Sequence, residues 1–359
     1  MARALQLAKY GPLSPHPNPR VGCVIVKGNT VIGEGRHEFT GGPHAEIMAL
    51  ESTAGNARDA DCYVSLEPCA HSGRTPPCTD AIIQSGIRRV ISAMIDPNPE
   101  VSGKGHRALE QQGIITETGL LEAEARELNP GFIMRMQSGR PRIRCKLAMS
   151  LDGRTALKDG TSQWITSATA REDVQRLRAG SDAIVSGINT ILADDPRLDV
   201  RLDSGNTRQP MRVILDRKLR IPKHARVFSV PGDTRVYTVS PCPDREKALV
   251  EAGISVVRID GSGENDFLQA VFRDLAMNCY INEVLVESGP SLAGSLMRAG
   301  LVDEFVLYTA PVFLGHEGKP LLQLPGIEQM DRKVHLEYRD IRQVGPDLRL
   351  VVRPVIEKN

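Results

Sequence analysis

A chain of 359 residues, 41% hydrophobic and 25% charged, exceeds one hydrophobic core and has the composition of an ordinary globular protein of two domains. Its 45 basic and 44 acidic side chains leave a formal charge of +1, which argues against a nucleic-acid binder but leaves room for a local basic pocket for one phosphate. No run approaches the roughly 18 apolar residues of a membrane helix, and seven scattered cysteines, an odd number, read as reduced thiols of a cytoplasmic protein.

The chain opens inside an amphipathic helix, MARALQLAKYG, which lacks the apolar core of a secretory signal. Either this helix starts the fold or native residues precede it. Residues 21–39 predict a hairpin, VGCVIV and TVIGEGRHEF around a KGN turn. A helix from His44 to Ser52 follows, then a strand (CYVSLEP), a helix after Thr79 and a strand (RRVISAMID). A helix over Lys104–Gln112, a short strand (IITETG) and a helix (LLEAEARELN) complete this half. Residues 133–141, short, polar and ending in Gly-Arg-Pro, predict a domain boundary.

Beyond it the alternation restarts with the strand IRCKLAMSLDG and the helix TAREDVQRLRAG. Strands DAIVSG, MRVILD, TRVYTV and ISVVRI come next, then the helix DFLQAVFRDLAM, the strand EVLVESG, the helix SLAGSLMRAG and the strand DEFVLYTAP. QVGPDLRLVVRP reads as one final antiparallel strand. Strands alternating with helices predict largely parallel sheets. The expectation is two α/β domains without internal repeat, over residues 1–138 and 142–359.

Three residues have the pattern of a catalytic zinc site. His44-Ala45-Glu46 stands at a helix start after Gly41-Gly42-Pro43, Cys69 ends a strand, and Cys78 precedes the next helix. One imidazole and two thiolates leave a fourth zinc position for water, and helix N-termini favour thiolates. The metal lowers the water's pKa, and a carboxylate that is not a ligand, Glu46, can shuttle the proton to a departing amine. The usual deaminase pattern is H-x-E followed by P-C-x-x-C; here eight residues, AHSGRTPP, separate the cysteines. A closed structural site would need Cys62 or His71 as fourth ligand, and Cys62 reads as core.

HPNPRVGCVIV, GPHAE, EPCAHSGRTPPC and DPNP, followed by KLAMSLDGRTA, SQWITS, ILADDPRL and VESGPSLAGSL, resemble the bifunctional riboflavin-biosynthesis deaminase–reductases over nearly the whole chain. The resemblance implies a cytidine-deaminase-like α/β/α sandwich joined to a dihydrofolate-reductase-like α/β domain. It implies hydrolytic deamination of 2,5-diamino-6-ribosylamino-4(3H)-pyrimidinone 5′-phosphate with one zinc, then NADPH-dependent reduction of the ribosyl group to ribityl. A phosphorylated small molecule is the expected substrate, with neither nucleic acid nor membrane as partner, in a homo-oligomer (dimer or tetramer).

Carried over by motif, Asn18 and His37 line the deaminase pocket, His71 and Arg74 meet the ribose-phosphate, and Asp96 and Asn98 recognise the pyrimidine. Taken singly, Asn18 and Asn98 beside prolines read as plain turn residues, and Arg74 as a solvated cation. In the second half the resemblance assigns Ala148, Trp164, Thr190, Asp194 and the 289–295 loop (Gly289, Pro290, Ser291, Leu292, Ala293, Gly294, Ser295) to NADPH. It assigns Ser162, Arg178, Arg201 and Glu287 to the substrate. The strand–helix junction at 289–294 can present backbone N–H groups to phosphate, yet it is not the G-x-G-x-x-G of a Rossmann domain.

Trp164 is read as core or as a cofactor wall. Glu287 is read as a cap for the next helix, or as a group against the sugar with Arg178 and Arg201 gripping the phosphate from the other end. Either Glu287 or Lys146 assists ring opening, and either Arg217 or Lys218 meets the phosphate that distinguishes NADPH. The rival reading is a nucleoside or transfer-RNA deaminase fused to a non-catalytic nucleotide-binding module.

Overall fold

In the computed structural model, which describes residues 1–11, 15–70, 76–202, 208–260 and 263–355, the chain divides into two units, Met1–Arg140 and Pro141–Asn359. The first runs α1 (Ala2–Lys9), β1 (Gly22–Lys27), β2 (Thr30–Arg36), α2 (Ala45–Ser52), β3 (Asp61–Val64) and α3 (Cys78–Ser85). It continues with β4 (Arg89–Ser92), α4 (Lys104–Glu110), β5 (Ile115–Thr118), α5 (Glu122–Leu128) and α6 (Pro130–Ser138). Its sheet has the order β2-β1-β3-β4-β5; β1 is antiparallel to β2 and β3, and β3, β4 and β5 are parallel.

β1 is a nearly continuous apolar run because helices cover both of its faces. On one face Cys23, Ile25, Cys62 and Val64 pack with Ala45 and Ala49 of α2 and Ile82 of α3. On the other, Leu66 and Met94 pack with Leu5 of α1, Ala125 of α5 and Phe132 and Ile133 of α6. The division between units, after Arg140, falls within the expected stretch 133–141, but most of that stretch is the helix α6, not a polar linker. Pro130 starts the helix at its first turn, Phe132 and Ile133 anchor it, and Gly139, at φ 64°, ends it.

The second unit comprises β6 (Arg142–Ser150), β7 (Arg154–Ala156), α7 (Ala168–Ala179), β8 (Ala183–Gly187), α8 (Ile188–Asp194), β9 (Met211–Leu215) and β10 (Thr234–Thr238). Then come α9 (Pro243–Glu251), β11 (Ser255–Arg258), α10 (Glu264–Met277), β12 (Glu283–Glu287), α11 (Pro290–Arg298), β13 (Glu304–Ala310), β14 (Lys319–Pro320), β15 (Leu336–Val344) and β16 (Asp347–Pro354). Nine strands order as β11-β10-β9-β8-β12-β6-β13-β16-β15, parallel from β11 through β13 and antiparallel thereafter. β7 and β14 form a separate small ribbon.

α10 and α11 cover one face through Phe267, Val271, Phe272 and Leu296. α7 covers the other face over β13 and β16, and α8 and α9 cover it over β8 to β10. The sequence reading missed α8, α9 and the β7–β14 ribbon. The expected last strand is in fact the end of a hairpin: Gly345, at φ 62°, separates β15 from β16. β15, LEYRDIRQV, is almost wholly exposed, so no buried face imprints an alternating pattern on it.

Candidate active site

The metal cluster forms where α2 and α3 begin. His44 is the N-cap of α2, and Cys78 is the first residue of α3. The extension of β3 delivers Cys69. His44 Nδ1 lies 3.1 Å from Cys78 Sγ and 3.6 Å from Cys69 Sγ, and all three ligand atoms fall within 4.8 Å of one another. A single zinc, at about 2.3 Å from sulfur and about 2.0 Å from nitrogen, spans such separations, so the residues fit the metal. The Cys78 N–H at the start of α3 donates to Cys69 Sγ at 3.3 Å. A hydrogen bond with the Cys78 side chain, opposed by burial and helped by His44 and the Cys78 N–H, draws the Cys69 thiol well below the ordinary range. Cys62 is no ligand: it lies in the core with Sγ 3.4 Å from that of Cys23.

Glu46, in the first turn of α2, is only 4% exposed. Burial raises its carboxyl to about 7, with the charge of Cys69 adding to the effect, so it can both take and give a proton near neutrality. His37 is buried and stands edge-on to His44, ring centroids 5.5 Å apart. His37 Nδ1 donates to the Pro43 carbonyl at 3.1 Å, which leaves Nε2 to accept from the Asn18 amide at 3.0 Å. Burial lowers the His37 pKa and favours this neutral form. The structure thus brings Asn18 and His37 to the metal cluster.

Asp96 Oδ1 accepts from the Asn98 N–H at 2.8 Å, and Asn98 Oδ1 from the Glu100 N–H at 3.0 Å. These bonds shape the turn that carries both residues. His71 and Arg74 lie outside the described residues.

In the second unit a charged cluster sits between β6, β12 and α7. Arg178 on α7 grips Glu287 at the end of β12 through Nε to Oε1 at 2.6 Å and Nη2 to Oε2 at 3.0 Å. Its Nη1 donates to the Asp199 carbonyl at 2.8 Å. Lys146 Nζ on β6 lies 4.0 Å from Glu287 Oε2. Burial would raise the Glu287 carboxyl, but Arg178 and Lys146 overcome it and hold it at about 2. Burial lowers the Lys146 ammonium, against the pull of Glu287. Arg201 donates its N–H to Gln175 Oε1 and its guanidinium to Asp199 Oδ1 at 3.2 Å, while most of its side chain stays exposed.

Beside this cluster, α11 starts at the end of β12 with Gly289 as N-cap and no side-chain cap. Uncapped N–H groups at a strand-to-helix junction, at the carboxyl edge of a parallel sheet, suit a dinucleotide phosphate.

The comparisons with known proteins match a known family to each unit. Residues 1–94 match the cytidine and deoxycytidylate deaminase zinc-binding region, and residues 141–350 the RibD C-terminal domain. Riboflavin biosynthesis protein RibD of Escherichia coli is 45% identical over 97% of this chain and 96% of its own length. That of Haemophilus influenzae is 42% identical over 99% and 96%. The chain belongs to the RibD family.

Solved RibD structures superpose closely. That of Acinetobacter baumannii gives a TM-score of 0.92 at 40% identity, covering 99% of this chain and 98% of that one. A Thermotoga maritima diaminohydroxyphosphoribosylaminopyrimidine deaminase/5-amino-6-(5-phosphoribosylamino)uracil reductase gives 0.86 at 34%, covering 99% and 97%. Like other RibD proteins, this chain is a bifunctional deaminase and reductase of riboflavin biosynthesis. The rival of a deaminase fused to a non-catalytic module falls away.

Within the RibD reductase unit several residues sit otherwise than expected. Arg178, expected to grip phosphate, instead reaches from α7 to pair with Glu287 at the end of β12, both side chains being largely buried. Glu287 does not cap α11. Trp164 is 70% exposed, so the core reading fails; the Arg171 guanidinium lies 4.4 Å above its ring. Ser162 is half-buried two residues before it.

The 289–295 loop is helix from Pro290 onward. Ala293 and Ser295 are buried in packing, Ser295 Oγ bonding Glu264 at 3.0 Å, and Gly294 abuts the backbone at Gln323. That leaves Gly289, Pro290, Ser291 and Leu292 nearest the junction. Ala148 lies on β6 opposite Tyr308, and Thr190 and Asp194 lie on α8, which follows β8. Arg217 and Lys218 follow β9, with the Arg217 guanidinium 5.8 Å from the Phe267 ring centroid.

Two acidic residues escaped the sequence reading. Asp199 links Arg178, Arg197 and Arg201 from a segment with no periodic signal. Glu67 was legible only as an acidic residue in an otherwise buried strand end, next to Pro68-Cys69.

Proposed function

We propose that this enzyme converts 2,5-diamino-6-ribosylamino-4(3H)-pyrimidinone 5′-phosphate into 5-amino-6-ribitylamino-uracil 5′-phosphate, deaminating first and reducing second. The observation that carries the first step is the cluster of His44, Cys69 and Cys78 within 4.8 Å, with Glu46 buried beside it. Those three residues hold zinc, which when bound supplies the Lewis acidity that brings water toward ionisation near neutral pH. Glu46 takes the proton of the attacking water and delivers it to the 2-amino group as ammonia leaves. His37, oriented by Asn18 and Pro43, lines the pocket; Asp96 and Asn98 recognise the pyrimidine; His71 and Arg74 meet the ribose phosphate.

For the second step Ala148, Trp164, Thr190, Asp194 and the start of α11 hold the cofactor. Ser162, Arg201 and Glu287 face the substrate, and Arg178 orients Glu287. NADPH, when bound, supplies the hydride that adds to C1′ of the opened sugar. Glu287, held ionised, is a poor proton donor, so Lys146 Nζ handles the proton of ring opening. Arg201, the more exposed cation, meets the phosphate.

The enzyme works in the cytoplasm, in keeping with seven unpaired cysteines. It assembles as a homo-oligomer: β15 is a nine-residue edge strand bearing exposed Tyr338 and Ile341, an edge that a second copy can cover. The test of the reaction is incubation with the aminopyrimidine phosphate, with and without NADPH, and mass spectrometry of the products. A deaminated ribosyl product without NADPH and a ribityl product with it are expected. Cytidine accepted in preference to the aminopyrimidine would overturn the reading.

A further inference from the structure

We propose that Glu67 is a positioning residue of the deaminase, whose buried carboxylate builds the turn that recognises the pyrimidine. The proposal rests on the reading of Asp96 and Asn98 given above. Glu67 is 3% exposed. A carboxylate that deep is costly unless its charge is answered by hydrogen bonds. Four backbone N–H groups answer it, from both ends of one loop. Oε2 accepts from Asp96 at 3.0 Å and Gly103 at 2.9 Å; Oε1 accepts from Gly105 at 2.9 Å and His106 at 3.2 Å. The carboxylate therefore clasps the loop that carries Asp96 and Asn98.

Local sequence cannot supply this clasp. The N-cap of α4 is Gly103 at φ 72°, which has no side chain to offer. Gly105 lets the loop come close: a Cβ there would lie 2.0 Å from the Pro68 carbonyl oxygen. The Glu67 N–H is itself fixed to the Met94 carbonyl at 3.0 Å. Cys69 follows two residues later. One short segment thus holds a metal ligand and the recognition turn together, and Glu67 sets the spacing between metal and pyrimidine-binding groups.

The bland account is a helix cap that matters only for stability, and kinetics separate the two. In the full-length zinc enzyme, Glu67→Gln keeps the side chain's size but turns amide hydrogens toward N–H donors. The expected result is about one zinc per chain, and faster hydrogen exchange at Asp96 as well as at Gly103, Gly105 and His106. KM for the aminopyrimidine phosphate should rise on the order of 10-fold, with a smaller change in kcat and unaltered reduction of deaminated substrate. A lower melting temperature with unchanged exchange at Asp96 and unchanged KM would overturn the proposal in favour of a plain cap. Loss of zinc would overturn it in favour of a role in the metal cage.

Faster exchange through 96–106 with unchanged KM, together with an unchanged KM for Asn98→Ala, would instead sink the assignment of that turn to the substrate. If Glu67→Gln does not fold, Gly105→Ala, which leaves the carboxylate intact and pushes α4 off Pro68, carries the same expectations.

Discussion

At the scale of single residues, the two carboxylates at the centre of the sites have opposite environments. Burial raises Glu46, and two cations hold Glu287 down. Glu46→Gln should keep about one zinc per chain, since the ligands are His44, Cys69 and Cys78, and lose deamination by a factor on the order of 10² or more. Metal analysis beside ammonia release checks this; normal turnover would hand the proton to another group. Glu287→Gln leaves the buried Arg178 guanidinium and the half-buried Lys146 without their counter-charge, so it should destabilise the reductase unit by about 3–5 kcal/mol as well as slow NADPH oxidation. The sign of its pH dependence follows from a depressed folded pKa. The pair stabilises fully above the ordinary carboxyl pKa of 4.5, and that stability drains away as pH falls toward about 2. Melting curves between pH 6 and pH 2 should therefore be flatter for the variant, roughly over that window. His44, Cys69 and Cys78 stood out as a candidate ligand set because ligand chemistry restricts residue type, and Glu46 because it follows His44 at the fixed H-x-E spacing; the Arg178–Glu287 pair did not, because nothing local says which of several cations a carboxylate will meet.

At the scale of elements, close approach of helices to strands positions the chemistry. α2 presents His44 and Glu46 from its first turn, and it rests on β2 at Gly35, where a Cβ would lie 2.2 Å from the Ala45 carbonyl oxygen. Gly35→Ala must push α2 outward. Zinc affinity and deamination should both fall, and the cost in stability should be about 1–3 kcal/mol or more; a chelator titration followed by a thermal melt measures both. Unchanged zinc affinity would mean that the start of α2 is held by something other than β2. Strongly periodic helices such as α7 and α10 could be read from the chain. α6, α8 and α9 could not, being short or masked by polar residues, and their positions follow from Phe132, Ile188 and Leu249 finding buried places.

At the scale of the molecule, the residues assigned to deamination all lie in Met1–Arg140 and those assigned to reduction all in Pro141–Asn359. The Glu46→Gln enzyme, given already deaminated substrate, should therefore reduce it with NADPH at close to the normal rate; loss of both activities together would mean coupled sites. The sequence by itself determined the α/β plan and singled out His44, Cys69 and Cys78 as a metal cluster with Glu46 beside it, since periodicity and ligand chemistry are written in short stretches of chain. Tertiary structure decided which side chains meet across distant segments. Asn18 comes to His37, Arg178 to Glu287, and Glu67 to the Asp96 turn, each over 19 or more residues of separation. Such pairings are fixed by how strands order and helices pack, and only the folded chain holds that information.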